Sequence, residues 1–129
     1  MCADVLNMEF ACAFDVAVCF GALGHIDTPE QAQFVRGIYR ALKPGGRFVF
    51  VTGYHPIPVS ALALILRLFN GVMRVRNRLL KPEFVMYYLL FLLPEARVLL
   101  EREGFEVEVR EGVYGEPFQR YAIVVATKP

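Results

Sequence analysis

The sequence has few cysteines, and they are not arranged to bind a metal. Its 129 residues contain three cysteines, Cys2, Cys12 and Cys19, with no CxxC spacing and no histidine nearby at zinc-ligand spacing. An odd number of cysteines without a disulfide framework is typical of a reducing compartment. We therefore expect a cytoplasmic protein without a metal site.

Long hydrophobic runs and a signal peptide are also missing from the sequence. The two most apolar segments, Ile57–Leu66 and Phe84–Leu93, are each too short to cross a bilayer. No basic region follows Met1, and Asp4 and Glu9 interrupt the first apolar residues, unlike a secretory signal. With 56% hydrophobic and 21% charged residues, the chain has enough apolar material to fold around a core.

Acidic residues are absent from the middle of the sequence, whereas they outnumber basic residues from Glu83 onward. The segment from Gln31 to Pro82 contains only basic charges: Arg36, Arg40, Lys43, Arg47, Arg67, Arg74, Arg76, Arg78 and Lys81. The net charge of +1 does not predict a nucleic-acid partner. A basic middle beside an acidic end predicts instead a surface that contacts an anionic partner, such as a membrane.

The apolar patterns of the first half predict a strand, a helix and a second strand. Phe14–Phe20, FDVAVCF, is a short run of β-forming residues and predicts a buried strand. In Thr28–Gln31, TPEQ, the threonine would cap a helix, the proline suits its first position and the glutamine would complete a capping box. The helix would end at Lys43–Gly46, KPGG, a turn rather than a site. A second strand over Arg47–Thr52 would complete a right-handed βαβ unit with parallel strands.

The second half predicts a long helix, then a shorter helix and two strands. Over Ser60–Lys81, polar residues recur every seven positions and form one narrow stripe on an otherwise apolar helix; its members are Ser60, Arg67, Arg74 and Lys81, flanked by Asn70, Asn77 and Arg78. A helix from Pro94 to Gly104, an alternating strand over Phe105–Arg110 and a strand over Tyr121–Thr127, buried on both faces, would follow.

Three motifs occur in order: ADVLNMEF from Ala3, FDVAVCFGALGHI from Phe14 and IYRALKPGGRFVFVTG from Ile38. A Gly-Phe strand at Gly104 and a last strand ending in Ala-Thr-Lys at Lys128 follow them. Together they resemble class I S-adenosylmethionine-dependent methyltransferases that act on small molecules. The resemblance implies an α/β fold, a partial Rossmann-like methyltransferase sheet that is mixed and ends in an antiparallel pair.

The same resemblance implies an order for the strands. Tyr121–Thr127 would lie between Arg47–Thr52 and Phe105–Arg110, antiparallel to both. Residues 1–129 would form a single domain in which residues 56–93 are a helical insertion, either a substrate cap or a membrane-facing segment.

The resemblance places the cofactor contacts at the carboxyl ends of two strands, where open α/β sheets bind ligands. It implies that the Asp4 carboxylate accepts a hydrogen bond from the adenine amino group, while Val5 or Leu6 packs on the ring. Alternatively, Asp4 is only a solvated residue near the start of the chain. Three further candidates follow the next strand, namely Phe20, Gly21 and Ala22. Gly21 would allow the backbone to approach the cofactor closely.

Three more residues are candidates for the substrate side of the site. The resemblance implies that His25 contacts the cofactor or the acceptor; a residue of this type is also a candidate general base. Positioning of the nucleophile could nevertheless supply most of the rate, and His25 could equally be a histidine in a surface turn. Tyr54 and His55 follow the Arg47–Thr52 strand, where substrate-facing groups can lie, although they are equally well loop residues without a role.

The sequence contains no GxGxG motif. The resemblance places the family's glycine-rich loop and its ribose-binding acidic residue before Met1, so the chain corresponds to a C-terminal half with about half a cofactor site. We expect a fragment, a mis-started product or a protein that has lost catalysis. We also expect the isolated chain to bind S-adenosylmethionine poorly, and the open edge of Phe14–Phe20 to favour self-association.

Two functions remain open at this point. The first is methyl transfer from S-adenosylmethionine to a small, apolar or lipid-like acceptor in the intact enzyme. The second is a non-catalytic module that binds a membrane surface or a partner through Ser60–Lys81. The same helix could also be a lid packed on the domain. Cofactor titration and vesicle binding would distinguish these possibilities.

Overall fold

The computed structural model describes residues 4–54, 61–80, 82, 85, 87–88 and 91–129. In chain order the elements are β1 (Phe14–Cys19), α1 (Gln31–Ala41), β2 (Leu42–Gly53), α2 (Ala61–Leu80), α3 (Glu95–Glu103), β3 (Glu106–Arg110) and β4 (Tyr121–Thr127). Two 3-10 turns, Leu23–His25 and Thr28–Glu30, connect β1 to α1.

The four strands form one mixed sheet in the order β1-β2-β4-β3. β1 and β2 are parallel, with Val18 opposite Val49, whereas β4 is antiparallel to both β2 and β3. This is the predicted strand order, and α2 forms a helical insertion after β2. The predicted fold class is therefore confirmed.

The core lies on one face of this sheet. Phe48 and Phe50 alternate with exposed or half-buried residues along β2, are fully buried and face α1 and α3. Their rings pack against Phe34 of α1, whose centroid is 5.9 Å from that of Phe48, and against Phe91, 5.3 Å from Phe50. Edge-on aromatic pairs of this kind add about 0.5–1.5 kcal/mol to the burial of their area.

Two strands are less buried than their sequences predict. In β1, Val16 is 56% exposed and Val18 is 62% exposed, so the prediction of a buried strand is wrong. In β4, Ile123 and Val125 are only half-buried, although their neighbours are fully buried. The reason is that β1 is an edge strand and that, within the described residues, α1 and α3 cover a single face of the sheet.

The helix α1 begins differently from the prediction. Asp27, rather than Thr28, is the capping residue, since its carboxylate accepts from the backbone N–H of Thr28 at 2.8 Å. Glu30, rather than Gln31, completes the capping box, because its carboxylate accepts from the Asp27 N–H at 3.2 Å. The predicted box is thus displaced by one residue, because a 3-10 turn containing Pro29 precedes α1.

The KPGG segment is part of an irregular strand rather than a turn before one. β2 starts at Leu42 instead of Arg47, and its register with β1 shifts between Phe14 and Val16. Gly45 has a φ of +77°, and its N–H donates to the Lys128 carbonyl at 2.8 Å. The segment lies at the amino end of β2, away from the strand ends where ligands bind, so its role is structural.

The long helix is present as α2, and its predicted end residues Ser60 and Lys81 lie outside the described residues. Asn70 is buried and bonds to Tyr88 twice, accepting from its N–H at 2.7 Å and donating to its carbonyl. Within the described parts of the chain, no helix is both long and apolar enough to cross a membrane.

Candidate functional site

A cavity of about 500 Å³ opens at the carboxyl end of β1; we call it the β1 cavity. Its walls include six of the seven predicted cofactor contacts, Asp4, Val5, Leu6, Phe20, Ala22 and His25. Phe34 and Ile38 of α1 also line it. Segments that are distant in the sequence therefore meet at the strand end where the resemblance places the cofactor.

The chain before β1 is held beside α1 and forms one wall of this cavity. Gln33 donates from its side-chain amide to the Leu6 carbonyl at 2.7 Å, and Arg40 donates to the Met8 carbonyl. On the other side, the turn Leu23–His25 is anchored by Leu23 and Ile26, which are both buried in the core. These contacts hold Leu6 and His25 in the walls of the cavity.

The Asp4 carboxylate is exposed and already forms a local turn. One oxygen accepts from the Leu6 backbone N–H at 3.0 Å and the other from the Asn7 side-chain amide at 2.6 Å. The Leu6 hydrogen bond, followed by that from Asn7, holds the pKa of the Asp4 carboxyl below its ordinary value. Because its pKa is lowered, Asp4 is charged at neutral pH. A carboxylate has about four lone-pair positions, so Asp4 can accept a hydrogen bond from a further donor.

Gly21 is adjacent to the β1 cavity without lining it. Its φ is +75°, a conformation that favours glycine, and a Cβ added there would meet no protein atom within 4 Å. The backbone conformation, rather than crowding by the protein, is therefore what requires glycine at this position. Close approach to a cofactor remains a prediction for this residue.

His25 lies between the β1 cavity and a second one of about 570 Å³, which we call the adjoining cavity. Its Nδ1 is hydrogen-bonded to the Val85 carbonyl. Because a carbonyl only accepts, Nδ1 carries a proton in this hydrogen bond. The ring is half-buried, so His25 is positioned to contact molecules in both cavities.

The adjoining cavity is bounded by the turns before α1 and by the segment after α2. Leu6 and His25 are shared with the β1 cavity, and the other walls come from Asp27, Pro29, Glu30, Val85 and Tyr87. Arg74 of α2 forms an ion pair with Asp27 at 3.1 Å, and its guanidinium lies over the Tyr87 ring at 5.6 Å. A residue of the insertion is thus held against the rim of this cavity.

The structure does not bring Tyr54 to the cavities that His25 lines. Tyr54 lies in a separate depression with Leu62, Tyr88 and Arg120, and its hydroxyl donates to the Glu111 carboxylate. That hydrogen bond is the main reason why the pKa of Tyr54 is raised. His55 lies outside the described residues.

The described cysteines do not form a catalytic or metal site. Cys12 and Cys19 are both free thiols. Burial raises the pKa of Cys19, which lines the β1 cavity, and a thiol with a raised pKa is a poor nucleophile at neutral pH. Among the described residues, no group of histidine, cysteine or carboxylate side chains has the arrangement of a metal site.

Several residues of the two cavities are not predicted from the sequence. Val18 of β1 shares a strand face with Phe20, so the two-residue period of a strand could have indicated it. Ile38 belongs to the apolar face of α1, and its pattern indicates only burial. Tyr87 and Val85 follow α2, and no local sequence signal connects them with the end of β1.

Part of the chain matches a known protein family in sequence. Residues 1–50 match the family model described as a methyltransferase domain. No curated protein matches the chain in sequence.

Solved structures match the chain over almost its whole length. One is a possible exported protein from Bordetella parapertussis, 21% identical with a TM-score of 0.62 over 98% of this chain and 43% of its own. Another is an S-adenosylmethionine-dependent methyltransferase from Methanosarcina mazei, 20% identical with a TM-score of 0.62 over 98% of this chain and 65% of its own.

A third matching structure contains ligands. It is the 1,6-didemethyltoxoflavin-N1-methyltransferase of Burkholderia thailandensis with its substrate and S-adenosylhomocysteine, 19% identical with a TM-score of 0.63. The match covers 98% of this chain and 48% of the other. At these identities the likeness establishes the fold, and the chain spans about half the length of the proteins that it matches.

Proposed function

Because this chain has the fold of the class I methyltransferases and matches the methyltransferase-domain family over residues 1–50, we propose that it forms part of an S-adenosylmethionine-dependent methyltransferase. The observation that carries the proposal is the β1 cavity, where Asp4, Leu6, Phe20 and His25 come together. The family supplies the cofactor class, and the cavity supplies a binding position for it.

The residues of the β1 cavity suit an adenine ring and the group attached to it. The volume of about 500 Å³ lies within the range of about 300–1,000 Å³ that is usual for ligand sites. Leu6 and Phe20 provide apolar and aromatic surfaces that could pack on a flat ring. The charged Asp4 carboxylate could accept from an exocyclic amino group, and together these residues would hold the adenine end of S-adenosylmethionine.

S-adenosylmethionine, when bound, supplies an electrophilic methyl group on a positively charged sulfur. This chain would then align an acceptor with that methyl group. Such alignment alone can lower the activation free energy of the transfer by several kcal/mol. His25 contacts both cavities and would position the acceptor at their junction. If the acceptor is a hydroxyl, the His25 imidazole could take its proton as the oxygen attacks the methyl carbon.

We assign the acceptor to the adjoining cavity and infer that it is small and largely apolar. Leu6, Pro29, Val85 and Tyr87 give this cavity mostly apolar or aromatic walls. The insertion that follows β2 would cover the acceptor, since Arg74 is anchored at the rim by Asp27. Tyr54 lies elsewhere, and we do not assign the acceptor to its depression.

An NMR titration of the ¹⁵N-labelled chain with S-adenosylhomocysteine tests the proposal. We expect weak, saturable binding that shifts the amide resonances of Asp4, Ala22 and His25. In a complete site a glycine-rich loop and a ribose-binding carboxylate would form two or three further hydrogen bonds with the cofactor, worth about 1.5–3 kcal/mol each. Without them, binding should be weaker by roughly three decades. The titration is run on the monomeric fraction, because the exposed edge of β1 favours self-association.

Two exposed phenylalanines provide a matched pair for this titration. Phe20 is 64% exposed and lines the β1 cavity, whereas Phe118 is 57% exposed and lies in a different depression. Phe20→Ala should weaken binding about fivefold or more through loss of ring stacking, and Phe118→Ala should not. Absence of binding would favour a non-catalytic module, and micromolar binding by the monomer would show that the glycine-rich loop is dispensable.

A further inference from the structure

The helix α2 is oriented with its polar face toward the protein. Asn70 is buried against Tyr88, Asn77 donates to the Tyr87 hydroxyl at 2.9 Å, and Arg74 pairs with Asp27. The sequence predicts this polar stripe, but an amphipathic helix of a soluble domain usually turns its apolar face inward. The inverted orientation leaves the apolar residues of α2 on the outside.

The outer face of α2 is a continuous apolar stripe. At 3.6 residues per turn, six large aliphatic residues fall within an arc of about 100°; they are Leu64, Ile65, Leu68, Val72, Val75 and Leu79. Their exposed fractions run from 54% for Val72 to 75% for Leu79. Three further exposed residues, Leu62, Phe69 and Leu80, widen the stripe on one side. A contiguous exposed patch of this kind marks an interaction site.

Basic residues flank the six-residue arc on both sides. By the same helical geometry Arg76 lies between that arc and the widening residues Phe69 and Leu80, and Arg67 and Arg78 lie beyond its other edge. All three are exposed, and α2 contains no acidic residue. The charges that α2 itself places around the stripe are therefore all positive, which suits a partner with an apolar interior and an anionic surface.

A second copy of this helix does not meet that requirement. Pairing of two α2 stripes would bring the three arginines of each copy together without a carboxylate on either helix to compensate them, and like charges at such an interface oppose association. The stripe is also wider than the narrow seam that one partner helix covers. On an anionic lipid surface the leucines can contact the acyl chains, and the long arginine side chains can reach the headgroups.

We propose that α2 binds the chain to the surface of an anionic membrane, lying in the plane of the interface with its leucine and valine stripe in the bilayer. The inference does not depend on the methyltransferase assignment, because it rests on the exposed face of α2 alone. A peripheral position at the membrane would also bring the adjoining cavity close to apolar acceptors.

Co-sedimentation with lipid vesicles tests the proposal on the full chain. One set of vesicles contains phosphatidylcholine alone, and the other contains equal parts of phosphatidylcholine and phosphatidylglycerol. The chain should bind the anionic vesicles at least tenfold more tightly, and soluble glycerol phosphate should not displace it. Displacement by glycerol phosphate would indicate a site for a free phosphate and would overturn the proposal.

Two sets of variants separate the apolar and the charged contributions. Neutralising Arg67, Arg76 and Arg78 with glutamine should reduce anionic binding about 100-fold, since each basic residue near the surface contributes about a factor of five. The matched control neutralises three exposed arginines outside α2, Arg36, Arg47 and Arg102, and should leave binding within about twofold.

The apolar test uses Leu68→Ser with Val75→Ser, which are 70% and 61% exposed. Because these side chains are exposed, the circular dichroism spectrum should be unchanged while vesicle binding falls about tenfold or more. The control pair is Val98→Ser with Val113→Ser, 44% and 51% exposed. Equal binding to both kinds of vesicle, insensitivity to the α2 variants, or a stable dimer that the serine pair dissociates would overturn the proposal.

Discussion

Replacement of Lys128 by methionine should destabilise the fold without changing either cavity. The Lys128 ammonium donates to the carbonyl of Tyr39 at 2.9 Å and to that of Leu42 at 2.7 Å. It also lies 4.7 Å from the centroid of the Tyr39 ring. These carbonyls are at the carboxyl end of α1 and just beyond it, where a helix leaves acceptors unpaired and its dipole favours a positive charge.

The expected loss can be estimated from these contacts. A hydrogen bond to a charged group contributes about 1.5–3 kcal/mol, and the lower end applies because Lys128 is only partly buried. Methionine preserves most of the apolar stem, so the two bonds and the ring contact should together cost about 3–4 kcal/mol. For a chain of this size that corresponds to a decrease in Tm of roughly 9–16 °C.

Urea denaturation, followed by circular dichroism on dilute monomer, measures this loss. The matched control is Lys43→Met, because Lys43 pairs with Asp15 at 2.9 Å while their side chains are 45% and 80% exposed. Such a surface pair contributes about 0–1 kcal/mol. If both variants lost the same stability, or Lys128→Met lost less than about 1 kcal/mol, the role assigned to Lys128 at the end of α1 would be wrong.

Two other perturbations test local features. Gly21→Ala should cost about 1–2 kcal/mol of unfolding free energy, since an alanine at a φ of +75° is strained; Gly71→Ala, inside α2 with space around it, should instead gain up to about 1 kcal/mol. Equal effects of the two alanines would contradict the conformational argument. The pKa of Tyr54 is raised mainly by the Glu111 hydrogen bond. This hydrogen bond therefore stabilises the fold fully below the ordinary tyrosine pKa, and the stabilisation is lost as pH rises through the pKa of Tyr54 in the folded state. Glu111→Gln should lower the Tyr54 midpoint in an ultraviolet titration, and an unchanged midpoint would show that the hydrogen bond does not form in solution.

Much of the fold is predictable because its signals are local or belong to the family. The apolar runs of β1 and β2 and the alternation in β3 give the strands, and the resemblance gives their order. The same resemblance brings Asp4 and Phe20 to one cavity, although the 15 residues of β1 and its preceding loop separate them. Local signals alone would not have connected those two positions.

The failures of prediction concern properties that no short segment contains. FDVAVCF has the composition of a buried strand, but its burial depends on which elements cover it, and β1 is an edge strand. The capping box is displaced by one residue because Asp27 and Thr28 are both good capping residues. The 3-10 turn starts at Thr28, so Asp27 is the residue that caps it. The polar stripe of α2 could be read from its spacing, whereas its inward orientation depends on Tyr87, Tyr88 and Asp27.

The contacts of α2 also bear on how a protein of this fold could change its ligand specificity. Among the described residues, the polar face of α2 contacts mainly Tyr87 and Tyr88, which lie in the same insertion, and reaches the βαβ unit through Arg74 and Asp27. Asp27 also caps the turn before α1 through its hydrogen bond from the Thr28 N–H. The insertion could therefore be lengthened, shortened or replaced while the sheet keeps its sequence, and under the proposed function acceptor choice and cofactor binding could then diverge at different rates.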